Sequence, residues 1–146
     1  LLTELFLDGN DLVILPPEVG RLNKLEKLSV RNNQLTSLPD SLTKLSNLAE
    51  LYLDYNKLKE LPEDIGRLKN LRFLHLSNNF INRLPASIGE LTNLVELDIS
   101  NNQALLLLPT EIEKLRNLEL LIVDQSTQFP IPFVLPNARL VIVVVQ

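Results

Sequence analysis

Leucine sets the rhythm of this chain. Leu5, Leu28, Leu51, Leu74 and Leu97 stand 23 residues apart, and Leu121 follows after 24. Asparagine keeps the same step at Asn10, Asn33, Asn56, Asn79 and Asn102. Proline after leucine keeps it nearly as well, at Pro16, Pro39, Pro62, Pro85 and Pro109. A fixed period of this size marks an array of stacked repeats. The clearest copy is LAELYLDYNKLKELPEDIGRLKN, Leu48 to Asn70. In it Leu51 and Leu53 alternate with Glu50, Tyr52 and Asp54, which predicts a strand with one face inward and one outward. The asparagine stands where the chain leaves that strand. A buried amide there can satisfy backbone groups of neighbouring turns, which a leucine cannot do. The proline presets φ at the start of the returning arm, and PEDIGRL and PASIGEL suit a short helical or 3-10 turn. One unit is too small to bury its own leucines, so stacking must supply the core.

The full unit is L-x-x-L-x-L-x-x-N-x-L, then x-x-L-P-x-x-I-x-x-L-x-x. It resembles the leucine-rich repeat family in its 23-residue form with the LPxxIGxL second half. That form is found in Scribble- and Erbin-like proteins, plant Ras-group-related repeat proteins and bacterial repeat proteins that act on host cells. The resemblance covers almost the whole chain. It implies an α/β solenoid: a curved horseshoe with a concave parallel sheet of about six to seven strands. Short helical, 3-10 or extended segments would form its convex side. The fixed letters are scaffold, and the variable letters between them are where function is written.

The expected organisation is a single domain over residues 1–146, with repeats starting near 2, 25, 48, 71, 94 and 118. The fifth repeat has one extra residue within NNQALLLLP, Asn102 to Pro109, expected as a bulge just after the asparagine turn. Not all of Leu105 to Leu108 can then face inward. Residues 118–146 form a degenerate repeat or cap. Ser126 takes the asparagine position, QFPIPFVLP replaces the returning arm, and RLVIVVV, Arg139 to Val145, reads as a last strand with Leu140 and Ile142 in core positions. Solenoids need polar ends, and neither end reads as one. The expectation is a fragment of a longer protein.

Outward positions of successive strands fall into columns. The third position of each unit gives Glu4, Lys27, Glu50, Phe73, Glu96 and Leu120. The fifth gives Phe6, Ser29, Tyr52, His75, Asp98 and Ile122. The seventh gives Asp8, Arg31, Asp54, Ser77, Ser100 and Asp124. The eighth gives Gly9, Asn32, Tyr55, Asn78, Asn101 and Gln125. Glu4–Lys27–Glu50 and Asp8–Arg31–Asp54 alternate in sign, and cross-strand pairs of opposite charge contribute roughly 0.2–1 kcal/mol each. Such ladders need no ligand, but they can also orient a partner. Between them lie aromatic residues with no core to enter, and aromatic groups are frequent interface anchors. The candidate protein-binding residues are Tyr52, Phe73, His75, Tyr55 and Asp98 at the centre, with Phe6, Arg31, Glu50, Asp54 and Glu96 around them. Leu120, Ile122, Val141 and Val143 form a second, apolar candidate patch, of a kind normally covered by another segment or a partner.

Composition narrows the function classes. The chain has no cysteine and a formal net charge of −4, which excludes disulfides and cysteine-held zinc and argues against a nucleic-acid surface. No apolar run reaches the length of a membrane span. No N-x-S/T sequon occurs, which agrees with an intracellular address. His75, Asp98 and Ser77 invite a Ser-His-Asp reading, but residues two apart on a strand are roughly 6.5–7 Å apart, and no oxyanion hole is evident. A His75–Asp98 contact at a binding surface is the expectation. DISNN, Asp98 to Asn102, lacks the glycine and terminal glutamate of a calcium loop. Gly20, Gly66 and Gly89 share one repeat position and read as turn glycines.

The resulting expectation is a non-catalytic protein-binding module in signalling or scaffolding, needing no cofactor and favouring a monomer. The alternative is the targeting part of a larger enzyme, such as a ubiquitin ligase, a kinase or a bacterial effector secreted into a host cell. A third possibility is a solenoid that only self-associates.

Overall fold

The computed structural model describes residues 1–130, 132–135 and 137–144. The first five repeats contribute one short strand each and the last contributes two: β1 Glu4–Phe6, β2 Lys27–Ser29, β3 Glu50–Tyr52, β4 Phe73–His75, β5 Glu96–Asp98, β6 Leu120–Asp124 and β7 Arg139–Val143. They form one parallel sheet in sequence order. Glu4, Lys27, Glu50, Phe73, Glu96, Leu120 and Arg139 lie in one row across it, so the columns expected from the period are true lateral neighbours. Val145 lies outside the described residues. Among those described, no helix is long and apolar enough to cross a membrane.

The leucine columns fill the interior. Leu28, Leu51, Leu74 and Leu97 have no exposed surface, and Leu121 has 1%. The returning arms carry 3-10 segments at Pro17–Arg21, Asp40–Lys44, Ile65–Arg67, Ala86–Glu90 and Thr110–Lys114. Four of the five begin directly after a proline with φ between −66° and −70°, as the proline column predicts. Leu140 and Ile142 fall in the core columns beside Leu121 and Val123. They remain 45% and 51% exposed, because β7 is the last described coil and covers them on one side only.

The asparagine column is a continuous ladder. Asn56 Nδ2 donates to Val30 O of the preceding coil at 2.9 Å and to Leu53 O of its own at 3.0 Å, while its Oδ1 accepts from Leu35 N at 3.0 Å. Asn33, Asn79 and Asn102 repeat the arrangement. Ser126 ends it. With no amide arriving from the sixth repeat, Leu105 N turns back to Asn102 O at 2.9 Å. That turn is the bulge expected from the extra residue, and it leaves Leu105 and Leu108 inside at 1% exposure with Leu106 and Leu107 outside.

The shared glycines are not turn glycines. Gly20, Gly66 and Gly89 need no positive φ; they are required by close approach of the next coil. A Cβ on Gly66 would lie 2.4 Å from Ser87 O, and one on Gly20 or Gly89 would lie 2.6 or 2.5 Å from the corresponding backbone oxygen. The second repeat has Thr43 at this position, and the coil after it has its 3-10 segment shortened to Ile65–Arg67. The fifth has Glu113, and no 3-10 segment is assigned among the described residues of the coil after it. Coils stack tightly where the glycine allows it and open where a side chain intervenes.

Candidate functional site

The outer face of the sheet carries a connected polar and aromatic network from β1 to β5. Lys27 Nζ lies between Glu50 (3.5 Å) and Glu4 (4.0 Å), completing the first charge ladder loosely. The second ladder is only half formed. Arg31 Nε donates to Asp54 Oδ2 at 2.7 Å, but Asp8 does not meet the guanidinium. Its Oδ1 accepts instead from Ser29 Oγ and from the Arg31 backbone N, both at 2.7 Å. A carboxylate this short reaches the adjacent backbone and hydroxyl before it reaches a long side chain leaning towards the next strand. Asp54 itself is 6% exposed, so it positions Arg31 from beneath.

Tyr52 is the hub. The Arg31 guanidinium lies 4.2 Å from its ring centroid, a cation–π distance. His75 packs edge-on against the same ring at 5.0 Å. The Tyr52 hydroxyl donates to Glu50 Oε1 at 2.5 Å. Partial burial pushes the Tyr52 phenol well above the usual tyrosine range, and the Glu50 hydrogen bond and charge push it further; Arg31 opposes them. The sign follows from linkage. A folded-state pKa above the unfolded value of about 10 gives stability that is present below about pH 10 and lost as pH rises towards the folded value. Tyr52→Phe should therefore flatten the alkaline loss of stability above about pH 10, measured by urea unfolding at stepped pH.

His75 does not pair with Asp98 as expected. Its Nε2 meets Glu96 Oε2 at 2.5 Å. The longer glutamate reaches diagonally from the neighbouring strand, while Asp98 Oδ1 is taken by Ser100 N (3.0 Å) and Ser100 Oγ (2.7 Å). Asp98 is nonetheless the lateral neighbour of His75. The Ser77 hydroxyl donates to Asp54 Oδ1 at 2.7 Å, so Ser77, His75 and Asp98 do not form a relay. Phe73 lies beside Arg72, whose guanidinium is 5.5 Å from the ring centroid. Phe6 is 58% exposed and sits at the edge of the network, 6.0 Å from Lys27 Nζ.

Tyr55 stands apart in backbone terms. The eighth column is left-handed in the first five repeats: φ is 70° at Gly9, 56° at Asn32, 60° at Tyr55, 57° at Asn78 and 55° at Asn101. Glycine and asparagine are the residues that tolerate this conformation, and a bulky residue there is an outlier. Tyr55 holds an exposed ring at the one position of its repeat where the backbone least favours it.

In the second candidate patch Leu120 and Ile122 are half-buried, with Val141 exposed beside Ile122. Val143 follows Val141 on the same face of β7, with Asp124 as its lateral neighbour. Phe80, 60% exposed beside Asn79, is an outward aromatic group that the strand columns miss, because it follows the asparagine turn. Its signal was its place: Asp11, Gln34, Lys57 and Gln103 fill that position in the other repeats.

Comparison with known families identifies the repeats. A model described as "Leucine rich repeat" matches residues 1–58 and 23–81, and one described as "Leucine-rich repeat region" matches residues 58–137. The chain belongs to the leucine-rich repeat family. The open parallel sheet with short 3-10 segments is thus that family's curved solenoid, and its outer sheet face is concave. The solved structure of the Leptospira interrogans LRR protein LIC12759 is similar, with 48% sequence identity and a TM-score of 0.83 over 89% of this chain. A plant peptide hormone receptor, RGFR1 in complex with RGF2, is 29% identical with a TM-score of 0.63 over 87% of the chain. The chain spans 33% of the first and 25% of the second. Among curated proteins none matches. Leucine-rich repeat domains generally mediate protein–protein interaction.

Proposed function

We propose that this chain is a non-catalytic module that binds a protein partner on its concave face, centred on Tyr52, Tyr55, Phe73, His75 and Asp98. The observation that carries this reading is Tyr55. A large exposed ring in a left-handed position costs roughly 1 kcal/mol relative to residues that suit it. Neighbouring repeats use asparagine or glycine there, so the fold does not ask for tyrosine. The Tyr52 network adds a rigid platform, and preorganised aromatic groups bind with little further loss of entropy. Arg31, Glu50, Glu96 and Phe6 frame that platform, while Asp54 acts through Arg31. The peptide-bound plant receptor is a relative in which a similar fold holds a polypeptide, which fits a signalling or scaffolding role. The Leptospira relative is a bacterial repeat protein, which fits a bacterial one as well.

Tyr55→Asn separates binding from folding because its two effects have opposite signs. Chemical denaturation should show a gain of roughly 1 kcal/mol, and capture of the partner should weaken. Weaker capture with no gain in stability would mean the variant had damaged the fold. The alternative, a targeting domain of a larger enzyme, is favoured by one fact: the chain spans a third or less of the two solved structures. Immunoblotting of the native source tests it, since a native mass near 16.6 kDa leaves no room for an enzyme domain.

A further inference from the structure

The centre of the concave face holds three metal-binding side chains in one place. Asp54, His75 and Asp98 each offer one ligand atom, and these atoms lie within 4.8 Å of one another. They come from three consecutive coils, so the sheet register fixes their spacing. Each is already oriented by a partner outside the trio. Ser77 N and Oγ hold Asp54 Oδ1. Ser100 N and Oγ hold Asp98 Oδ1. Glu96 holds His75 Nε2.

The contact with Glu96 sets the chemistry of the imidazole. An ionised carboxylate only accepts hydrogen bonds, so Nε2 carries a proton, and in the neutral imidazole Nδ1 is the nitrogen with a lone pair to offer. A carboxylate behind a histidine is the usual outer arrangement of a metal-ligating imidazole, where it fixes the tautomer and raises basicity. The Tyr52 ring, edge-on at 5.0 Å, fixes the ring plane as well.

Charge balance points the same way. Glu50, Asp54, Glu96 and Asp98 crowd this part of the face. Lys27 pairs with Glu50 and Arg31 with Asp54. Among the described residues, Asp98 has no lysine or arginine partner, and Glu96 has only His75. The cluster therefore lacks about the charge that one divalent cation supplies.

We propose that Asp54, His75 and Asp98 form a binding site for a divalent transition-metal ion of the zinc class. One imidazole and two carboxylates suit zinc better than calcium or magnesium, which prefer oxygen alone. Zinc ligands lie at about 2.0–2.2 Å, which places them about 3.3 Å apart around a tetrahedron. Closing the cluster to that spacing from separations of up to 4.8 Å takes side-chain rotation on fixed strands. Three protein ligands leave a fourth position open. A partner's own carboxylate or imidazole is the chemistry that completes it. The site lies within the proposed binding face but does not depend on a partner.

The test is calorimetric titration of untagged, chelator-stripped full chain with zinc chloride near pH 7. One zinc per chain is expected. His75→Ala and Asp98→Asn should each weaken binding at least tenfold, and Glu96→Gln by about 10–100-fold. Arg31→Gln should tighten it, because it removes a cation 2.7 Å from Asp54. His75 is the only histidine, so the single imidazole signal in nuclear magnetic resonance reports the site directly and should shift with zinc. Circular dichroism checks folding; Asp98→Asn keeps side-chain size and serves if His75→Ala misfolds. No saturable zinc binding would overturn the proposal, as would an imidazole signal that does not move. Calcium binding as tight as zinc and indifferent to His75→Ala would reduce the cluster to acidic surface, which also overturns it. Because no partner is present, failure here leaves the protein-binding reading standing.

Discussion

Asn79→Ala should destabilise the chain by about 3 kcal/mol or more. The side chain is 4% exposed and serves four backbone groups. Its Nδ2 donates to Leu53 O, Leu76 O and Ser77 O at 3.0, 3.1 and 3.3 Å, and its Oδ1 accepts from Leu58 N at 3.1 Å. Alanine strands these groups, and each buried polar group left unsatisfied costs about 1–3 kcal/mol. The effect should spread, because Asn79 ties the third and fourth coils together and nearest-neighbour contacts carry a solenoid's stability. Asn10 is the internal control. It is exposed and bonds only within its own coil, to Leu7 O and Asp8 O. Its alanine variant should lose under about 1 kcal/mol. Urea unfolding of the two variants beside wild type checks this. Equal losses would mean that the ladder does not join the coils as described.

The repeat made much of this structure legible in the sequence. Equal spacing of Leu51, Asn56 and Pro62 with their counterparts implied equal coils, and equal coils forced the lateral register that put Glu50 beside Phe73 and His75 beside Asp98. The bulge was legible too, from one extra residue and a missing asparagine. What columns do not encode is diagonal reach. Glu96 and Asp98 are both near His75, and only side-chain length, with Ser100 competing for Asp98, selects Glu96. Asp8 and Asp54 occupy the same column, yet only Asp54 meets the Arg31 guanidinium, because the arginine leans one way along the sheet. Asp54, His75 and Asp98 converge for the same reason, and no single column contains all three.

A second asparagine ladder runs near the same period, with steps of 23, 23, 24 and 20 residues. Asn47, Asn70, Asn93, Asn117 and Asn137 donate to backbone oxygens of the preceding coil at 2.7–3.3 Å, starting with Asn47 to Asn23 O. These side chains are exposed, so the burial argument that singled out the first ladder did not apply to them. The glycines are a similar case. Their need is visible only when the next coil is in place, with Ser87 O where a Gly66 Cβ would go.

The largest effect on binding should come from replacing Tyr52, Phe73 and His75 together by alanine. These are three neighbouring outward side chains of β3 and β4, none of them in the leucine core. Tyr52 holds the Arg31 guanidinium over its ring and His75 at its edge, so its loss also frees Arg31 to move. Central aromatic anchors commonly contribute 2 kcal/mol or more each to an interface. Their joint removal should lower affinity by about 100-fold or more. The fold should survive, because the leucine, asparagine and glycine contacts between coils are untouched.

The most direct measurement is a pull-down from lysate with wild type and this triple variant side by side, read by mass spectrometry. A chelator in the buffer keeps any metal contribution out, and circular dichroism shows first that both proteins are folded. The expected result is a protein retained by the wild type and lost from the variant. The same protein caught equally by both would contradict it, and would move the binding site to the exposed Leu106–Leu107 bulge or the apolar C-terminal patch.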